Sequence, residues 1–332
     1  MKKSTYVNLR FLFSHYEAPT LFMMIGLPGS GKSYIAECLS EITGSEIVSS
    51  DAIRKELFGD ENDQEHNNEV FNTVNSRIKN YLKDGKSVIL DATNLSAKRR
   101  KNFIKTLENI KCAKIAVLIA TDYELCLKQN SERERHVPED VIKRMLTNIC
   151  MPTFEEGFDY IYYIPHDDNT KSLYDYISET FNFDQDNPNH TLTLDKHLIK
   201  ASTIMMKKNS EFAYLGYLHD IGKPFCKTYT KRNGTVDEHA HYYNHAHVGA
   251  YFYACALGKI VSSEKNMCPI PNSVLDIQVI QRHMDFFSFS KDNYKEDQEN
   301  YFENLKKYYT DYSVLDLKRM LLDLHEADLE AH

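Results

Sequence analysis

Hydrophobic positions along the chain fall into two regimes. In the first half they come as short continuous runs, Leu21–Ile25, Ser87–Leu90 and Ala113–Ala120, separated by stretches with helical spacing. Apolar runs of strand length alternating with helices predict a parallel sheet covered on both faces. Glu46–Ser50 adds a short strand, and the pattern closes at Tyr160–Ile164. Helices are expected over Tyr34–Leu39, Glu65–Leu82, Ser96–Leu107, Tyr123–Asn130 and Pro138–Cys150, with a short strand or arm around Tyr6–Phe13. Beyond residue 165 no comparable β-run follows; Leu194–Lys207, Phe212–Leu218, His245–Leu257, Val274–Met284 and Val314–Glu330 predict an all-α second domain. The expected division is 1–165, a linker over 166–190 in which Asp184–His190 reads as a loop, and 191–332.

Composition narrows the class. A length of 332 residues suits two domains, and 42% hydrophobic with 27% charged residues describes an ordinary soluble protein. A formal charge of -8 argues against a broad basic coat for nucleic acid and leaves room for a local basic channel. No run is long enough to span a membrane, and Met1-Lys2-Lys3 is followed by no secretory signal. Seven cysteines stand singly with no C-x-x-C pair, which points to reduced thiols and a cytoplasmic location.

The first chemistry-bearing stretch is Gly26-Leu-Pro28-Gly29-Ser30-Gly31-Lys32-Ser33, which fits G-x-x-x-x-G-K-[ST] between a strand and a helix. There the unpaired N–H groups and dipole of a helix N-terminus favour a polyphosphate. The glycines let the backbone wrap closely, Lys32 can reach the β- and γ-phosphates, and the Ser33 hydroxyl can hold Mg²⁺. An NTP, ATP first, with Mg²⁺ is the expected cofactor pair.

Further residues point to a kinase. Asp51 lies at a strand end, where α/β sheets bind ligands, and Arg54 follows one helical turn later. Asp91 and Asn94 repeat the arrangement at the next strand, and Arg133 and Arg135 precede a helix begun by Pro138. An Asp can accept the proton of an attacking hydroxyl, and arginines can clamp phosphate. Over roughly residues 20–165 these motifs, in this order, resemble the kinase module of bacterial and phage polynucleotide 5′-kinases. The resemblance implies a general base at Asp51, a substrate-phosphate contact at Arg54, substrate contacts at Asp91 and Asn94, and a lid carrying Arg133 and Arg135, which the sequence does not tell apart. Asp91 also reads as an orienting partner of Arg54 or a helix cap. The basic stretch Lys98–Lys105 reads as a solvated face ahead of a phosphate track.

The second domain carries His219-Asp220 after an apolar stretch, with His197, His245, His283 and Asp328 on other expected helices. Imidazole nitrogen with carboxylate oxygen suits Mn, Fe, Co, Ni or Zn. His241 and His245 are expected to share a helical i, i+4 face, with His245 the inner of the two. The ordered set resembles the H…HD…H…H…D signature of the HD phosphohydrolase superfamily, and Leu218–Pro224 with His241–Ala250 is similar to the HD domain of bacterial tRNA nucleotidyltransferases. The resemblance implies that His197, His219, Asp220 and Asp328 hold a first metal, and that His245 and His283 hold a second or meet substrate phosphate. Lys223 reads equally as a phosphate contact or a solvated lysine, and His190 equally as a site residue or loop packing.

A phosphoryl transferase joined to a phosphoester hydrolase reads as an end-healing enzyme. It would phosphorylate 5′-OH ends, RNA ahead of DNA, remove 2′,3′-cyclic or 3′-phosphate, and work alongside an RNA ligase. In the related bifunctional kinases the HD domain precedes the kinase, the reverse of the order here. The competing reading is a small-molecule or nucleotide-sugar kinase of the zeta-toxin kind, with an HD domain that hydrolyses or senses nucleotides.

Overall fold

All six residues of β1 (Thr20–Ile25) are buried, because this strand lies in the middle of a five-stranded sheet of order β2-β3-β1-β4-β5. In this computed structural model, residues 9–332 are described apart from 11, 14, 17, 18, 62, 64, 189, 209 and 264–272. The chain divides into one unit running to Ile142 and including Pro152–Asn169, and another made of Lys143–Met151 and Thr170–His332.

In the first unit β1 pairs in parallel with β3 (Val88–Asp91) and β4 (Ala113–Ala120), while β2 (Glu46–Ser49) and β5 (Tyr160–Pro165) lie outermost. Helices α1 (Lys32–Thr43), α2 (Ser50–Phe58), α3 (Asn67–Lys83), α4 (Ala97–Lys105), α5 (Tyr123–Ser131) and α6 (Glu139–Thr147) occupy the connections. Burial follows the spacing: Val70, Val74, Ile78 and Leu82 form the buried stripe of α3. Since β3 and β4 flank β1 on opposite sides, the chain order reverses at the C-terminal end of β1, where sheets of this kind leave a ligand crevice.

Two local expectations change. Residues 9, 10, 12 and 13 are helical, not strand, and Leu9 and Phe13, four apart, join the core; residues 6–8 and 11 of the expected arm lie outside the described residues. The basic helix α4 is solvated at Lys98, Arg99, Lys101 and Lys105, but Arg100 is buried. Its Nε and Nη2 donate to Glu156 at 2.7 and 2.6 Å, and its Nη1 donates to the Asn94 carbonyl at 2.8 Å. A charge so deeply placed persists only with such partners, and loss of either would cost about 3–5 kcal/mol.

The second unit is helical: α7 (Leu173–Ser178), α8 (Leu194–Lys207), α9 (Leu215–Leu218), α10 (Lys223–Cys226), α11 (His245–Ser263), α12 (Ser273–Arg282), α13 (Tyr294–Leu305) and α14 (Asp311–Ala331). It is not all-α, because β6 (Thr228–Thr230) and β7 (Val236–His241) pair as an antiparallel hairpin. In β7 four of the six residues are polar, Val236 is exposed and only Ala240 is buried, so the hairpin carries little of the apolar signal that marks a strand. Segment 166–190, expected as a linker, is largely structured: Ser172 caps α7, and Tyr176 stacks on Phe252 with ring centres 4.6 Å apart. Lys143–Met151 is tied into this unit by Asn244, whose amide donates to the carbonyls of Thr147 and Ile149 at 3.0 and 2.7 Å.

Close backbone approach sets the geometry of this unit. A Cβ on Gly216 would lie 2.5 Å from Ser202 N, and one on Gly222 would lie 2.2 Å from the His245 carbonyl. Glycine at both positions draws the His219–Asp220 segment against α8 and the start of α11.

Candidate functional site

The loop after β1 enters α1 through Gly29 and Gly31, with φ of +75° and +85°. Gly29 is required for space as well as for its dihedral angle: a Cβ would lie 2.2 Å from the Cys126 carbonyl. Lys32 is buried and folds back on the loop, donating to the Leu27 carbonyl at 2.6 Å. Burial pushes its ammonium below the usual lysine range; Asp91 opposes that shift and Arg133 adds to it. The Ser33 hydroxyl donates to Asp91 Oδ2 at 2.8 Å, so the hydroxyl and carboxylate that would share an Mg²⁺ shell are already adjacent. Beside the loop, Gly31, Tyr34, Ile119, Gln129, Ile164 and His166 line a cavity of about 220 Å³.

Asp51 opens α2, whose cap Ser49 accepts from the Ala52 amide. Arg54 Nη1 donates to Asp51 Oδ1 at 2.7 Å and its Nη2 to Asn67 Oδ1 at 3.0 Å. Arg135 Nη1 reaches the same Asp51 oxygen at 3.1 Å. Of the two arginines Arg135 is thus the one in direct contact with the expected base, a distinction the sequence did not supply. Asp91 is joined to Ser33; the orienting contact with Arg54 is made by Asp51 and Asn67. Asn94, expected at the substrate, sits at φ +45° and spends its amide on the Met24 and Ala92 carbonyls, bracing the loop after β3 against β1.

Residues 21–152 match the protein-family model described as "AAA domain". The chain is 27% identical over 176 residues to the bifunctional polynucleotide phosphatase/kinase of Schizosaccharomyces pombe, across 52% of this chain and 38% of that protein. It is 26% identical over 145 residues to the L-seryl-tRNA(Sec) kinase of Methanococcus maripaludis, across 42% of this chain and 56% of that one. Less than two thirds of either relative is spanned. A solved structure of the Pnkp1/Rnl/Hen1 RNA repair complex aligns at 24% identity with a TM-score of 0.37, over 40% of this chain and 44% of the other. By its loop, its sheet and these matches, the sheet-bearing unit is similar to P-loop kinases.

The helical unit gathers all six of its expected site residues. His197 stands on α8, His219 and Asp220 follow α9, His245 opens α11, His283 follows α12 and Asp328 lies on α14. Their side chains form three groups with the geometry to hold a metal: His197, His219 and Asp220; Asp220, His245 and His283; and His197, Asp328 and His332. His332, one turn after Asp328 on the same helix face, was missed because nothing in the sequence sets a terminal histidine apart. His245 is the inner histidine, but the shared helical face does not form: His241 ends β7 and pairs with Asp237 at 2.9 Å.

The donor set fits a cation on chemical grounds. The Nδ1 atoms of His219, His245 and His283 lie 3.0, 2.7 and 2.7 Å from the carbonyls of Gly216, Tyr242 and Ile280. A carbonyl only accepts, so each Nδ1 carries the hydrogen and each neutral ring turns a bare Nε2 inward. His245 and His283 Nε2, both bare, are 3.2 Å apart, and the bare Nε2 of His219 lies 3.3 Å from His197 Nε2. Asp220 Oδ1 lies 3.0 Å from His245 Nε2, and Asp328 Oδ1 lies 3.0 Å from His197 Nε2, yet both oxygens are buried without a hydrogen-bond partner. Converging acceptors repel unless positive charge lies among them. Without a cation a proton takes that place at His219: burial alone would lower its pKa, but Asp220 and Asp328 push it up to about 10. Part of the charge is met by Lys223, whose buried Nζ lies 2.7 Å from Asp220 Oδ2 and donates to Gln185 at 2.9 Å.

Proposed function

We propose that this protein heals nucleic-acid ends, phosphorylating 5′-OH termini, RNA ahead of DNA, and hydrolysing 2′,3′-cyclic or 3′-phosphate in an HD-type domain over residues 191–332. The observation that carries the kinase half is the pair of guanidinium groups on one carboxylate, Arg54 and Arg135 on Asp51. An acceptor that is only an alcohol gives no use for two fixed cations around the base. An acceptor hydroxyl flanked by its own phosphodiester does. In this reading the Gly26–Ser33 loop, including Pro28 and Ser30, cradles the NTP. Ser33 holds Mg²⁺ beside Asp91, and Arg133 offsets phosphate charge near Lys32. Asp51 takes the hydroxyl proton while Arg54 clamps the acceptor phosphate.

The hydrolase half is supported by the converging acceptors of the cluster. His197, His219, Asp220 and Asp328 would hold one ion, and His245 and His283 would hold a second or contact phosphate, the ions being Mn, Ni, Co, Fe or Zn. Such an ion supplies Lewis-acid polarisation of a phosphoryl oxygen. Lys223 would keep Asp220 oriented through their direct contact. An RNA ligase is the partner such products call for, and the cytoplasm is the compartment consistent with the single cysteines. Among the described residues no helix is long and apolar enough to cross a membrane.

Incubating the protein with 5′-OH RNA and DNA oligonucleotides, labelled ATP and Mg²⁺, beside a panel of small alcohols and nucleotide sugars, tests the kinase assignment. Label transfer to oligonucleotides supports it; transfer only to small acceptors would replace it with the small-molecule reading.

A further inference from the structure

The cavity above the metal-binding cluster encloses about 520 Å³, far more than a phosphate fills, and it has two kinds of wall. Asp220, Asp328, His245 and Lys223 line it with charge and imidazole, while Tyr243, Met284 and Phe287 line it with rings and a thioether, and Tyr242 sits under the Lys223 ammonium, 5.6 Å from its ring centre. Met284 and Phe287 are 40% and 44% exposed beside a buried polar cluster. Phe287 is held edge-on by His325 with ring centres 4.9 Å apart. Tyr243 is stiffened on the rim, with the His241 ring stacked 5.2 Å away at 7° and the Arg232 guanidinium 4.9 Å from its ring centre.

We propose that the Phe287–Met284 wall, with Tyr243 at the rim, is a slot for a nucleobase, so that the second site takes a nucleotide or nucleotide end in preference to a simple phosphoester. The proposal rests on the phosphohydrolase reading and adds the part of the substrate that reading leaves open. A phosphate needs charge and hydrogen-bond donors, which the cluster side supplies through Lys223 and any bound cations. It gives no use for rigid apolar rings a few ångströms away. A base does, because every base presents π-faces that stack on aromatic side chains whatever its edge. The wall offers faces and a thioether in place of a set of donors and acceptors, so it favours a base without choosing among the four.

The test compares a nucleoside 3′-monophosphate with ribose 3-phosphate, which lacks the base, on the full-length protein as purified. Titration calorimetry gives binding, and phosphate release gives turnover. Wild type is expected to bind the nucleotide at least tenfold more tightly. Phe287→Ala should reduce that preference about tenfold, as expected for one lost base stack, while metal content and unfolding temperature hold. Phe287→Tyr, which keeps the ring, should restore it. Equal affinity of wild type for the two ligands, with phosphate released from both, would overturn the slot and leave the hydrolase standing. A protein that holds no metal and hydrolyses neither would remove both. A preference that also survives in the Phe287→Ala, Tyr243→Ala double variant would overturn the assignment of these residues.

Discussion

The Gly26–Ser33 cradle and the histidine–aspartate cluster are opposite solutions to holding chemistry in place. In the cradle donors meet acceptors: Lys32 meets the Leu27 carbonyl, Ser33 meets Asp91, and Arg54 meets Asp51 and Asn67. In the cluster acceptors meet acceptors, as the His245 and His283 ring nitrogens 3.2 Å apart and two buried carboxylate oxygens without a hydrogen-bond partner. The cradle is thus complete as protein before any nucleotide arrives. On the proposed reading the cluster is completed by cations, so its stability and its chemistry should depend on the same ions.

The largest expected effect falls on the cradle. Lys32→Ala should lower phosphoryl transfer by about 10³-fold, since it removes the charge at the transferring phosphoryl group. Metal content and phosphate release at the cluster should stay at wild-type values. Radiolabel transfer checks this, and a variant keeping most of its rate would break the assignment of the loop.

Asp220→Ala is the matching cut on the other side. It takes a carboxylate from two of the three ligand groups and leaves Lys223 with an uncompensated buried charge. Metal occupancy by elemental analysis and phosphate release should both fall, by about 10²-fold or more, with kinase rate retained. Full occupancy in that variant would show that Asp220 is not a ligand.

Chelation sharpens the contrast without mutation. Stripping divalent ions should lower the unfolding transition of the helical unit by several degrees, since bound ligands stabilise by about 2–4 kcal/mol at 100–1,000 times their dissociation constant. The sheet-bearing unit should hold its transition, and scanning calorimetry separates the two. If neither transition moved, the converging acceptors would have to be balanced by protons alone.

The smallest effect is the finest test of the cradle. Arg135→Ala should act on the acceptor, raising its KM or lowering kcat by about tenfold. Arg133→Ala should raise the KM for NTP by a similar factor. Steady-state kinetics with each substrate varied in turn would show the split, and identical profiles would put both arginines in one role.

How much of this could be read from the chain follows the same contrast. The loop Gly26–Ser33 is eight residues in sequence, and its strand–loop–helix setting is written in the apolar runs on either side, so loop and sheet were both legible. The six cluster residues were legible only as an ordered set, and their convergence depends on approaches such as Gly222 against the His245 carbonyl. The β6–β7 hairpin and α13 escaped notice because their residues are largely polar; only Phe302 and Leu305 are buried in α13. Asp91 next to Ser33, Arg135 on Asp51 and the burial of Arg100 are contacts between residues 56 to 84 positions apart in sequence or choices between like side chains, and no local pattern encodes them.

The placement of Lys143–Met151 has a consequence for the gene. These nine residues precede β5 of the sheet but belong to the helical unit, where Asn244 holds the Thr147 and Ile149 carbonyls and His247 Nδ1 accepts from the Met151 amide at 3.1 Å. The polypeptide enters the helical unit, leaves to complete the sheet and returns, so no single break hands over either unit whole. A fragment starting at residue 170 lacks those three hydrogen bonds, and a fragment ending at 169 carries a segment whose partners are gone. Recombination at one junction would therefore damage both units, so the two units are expected to be inherited as a pair.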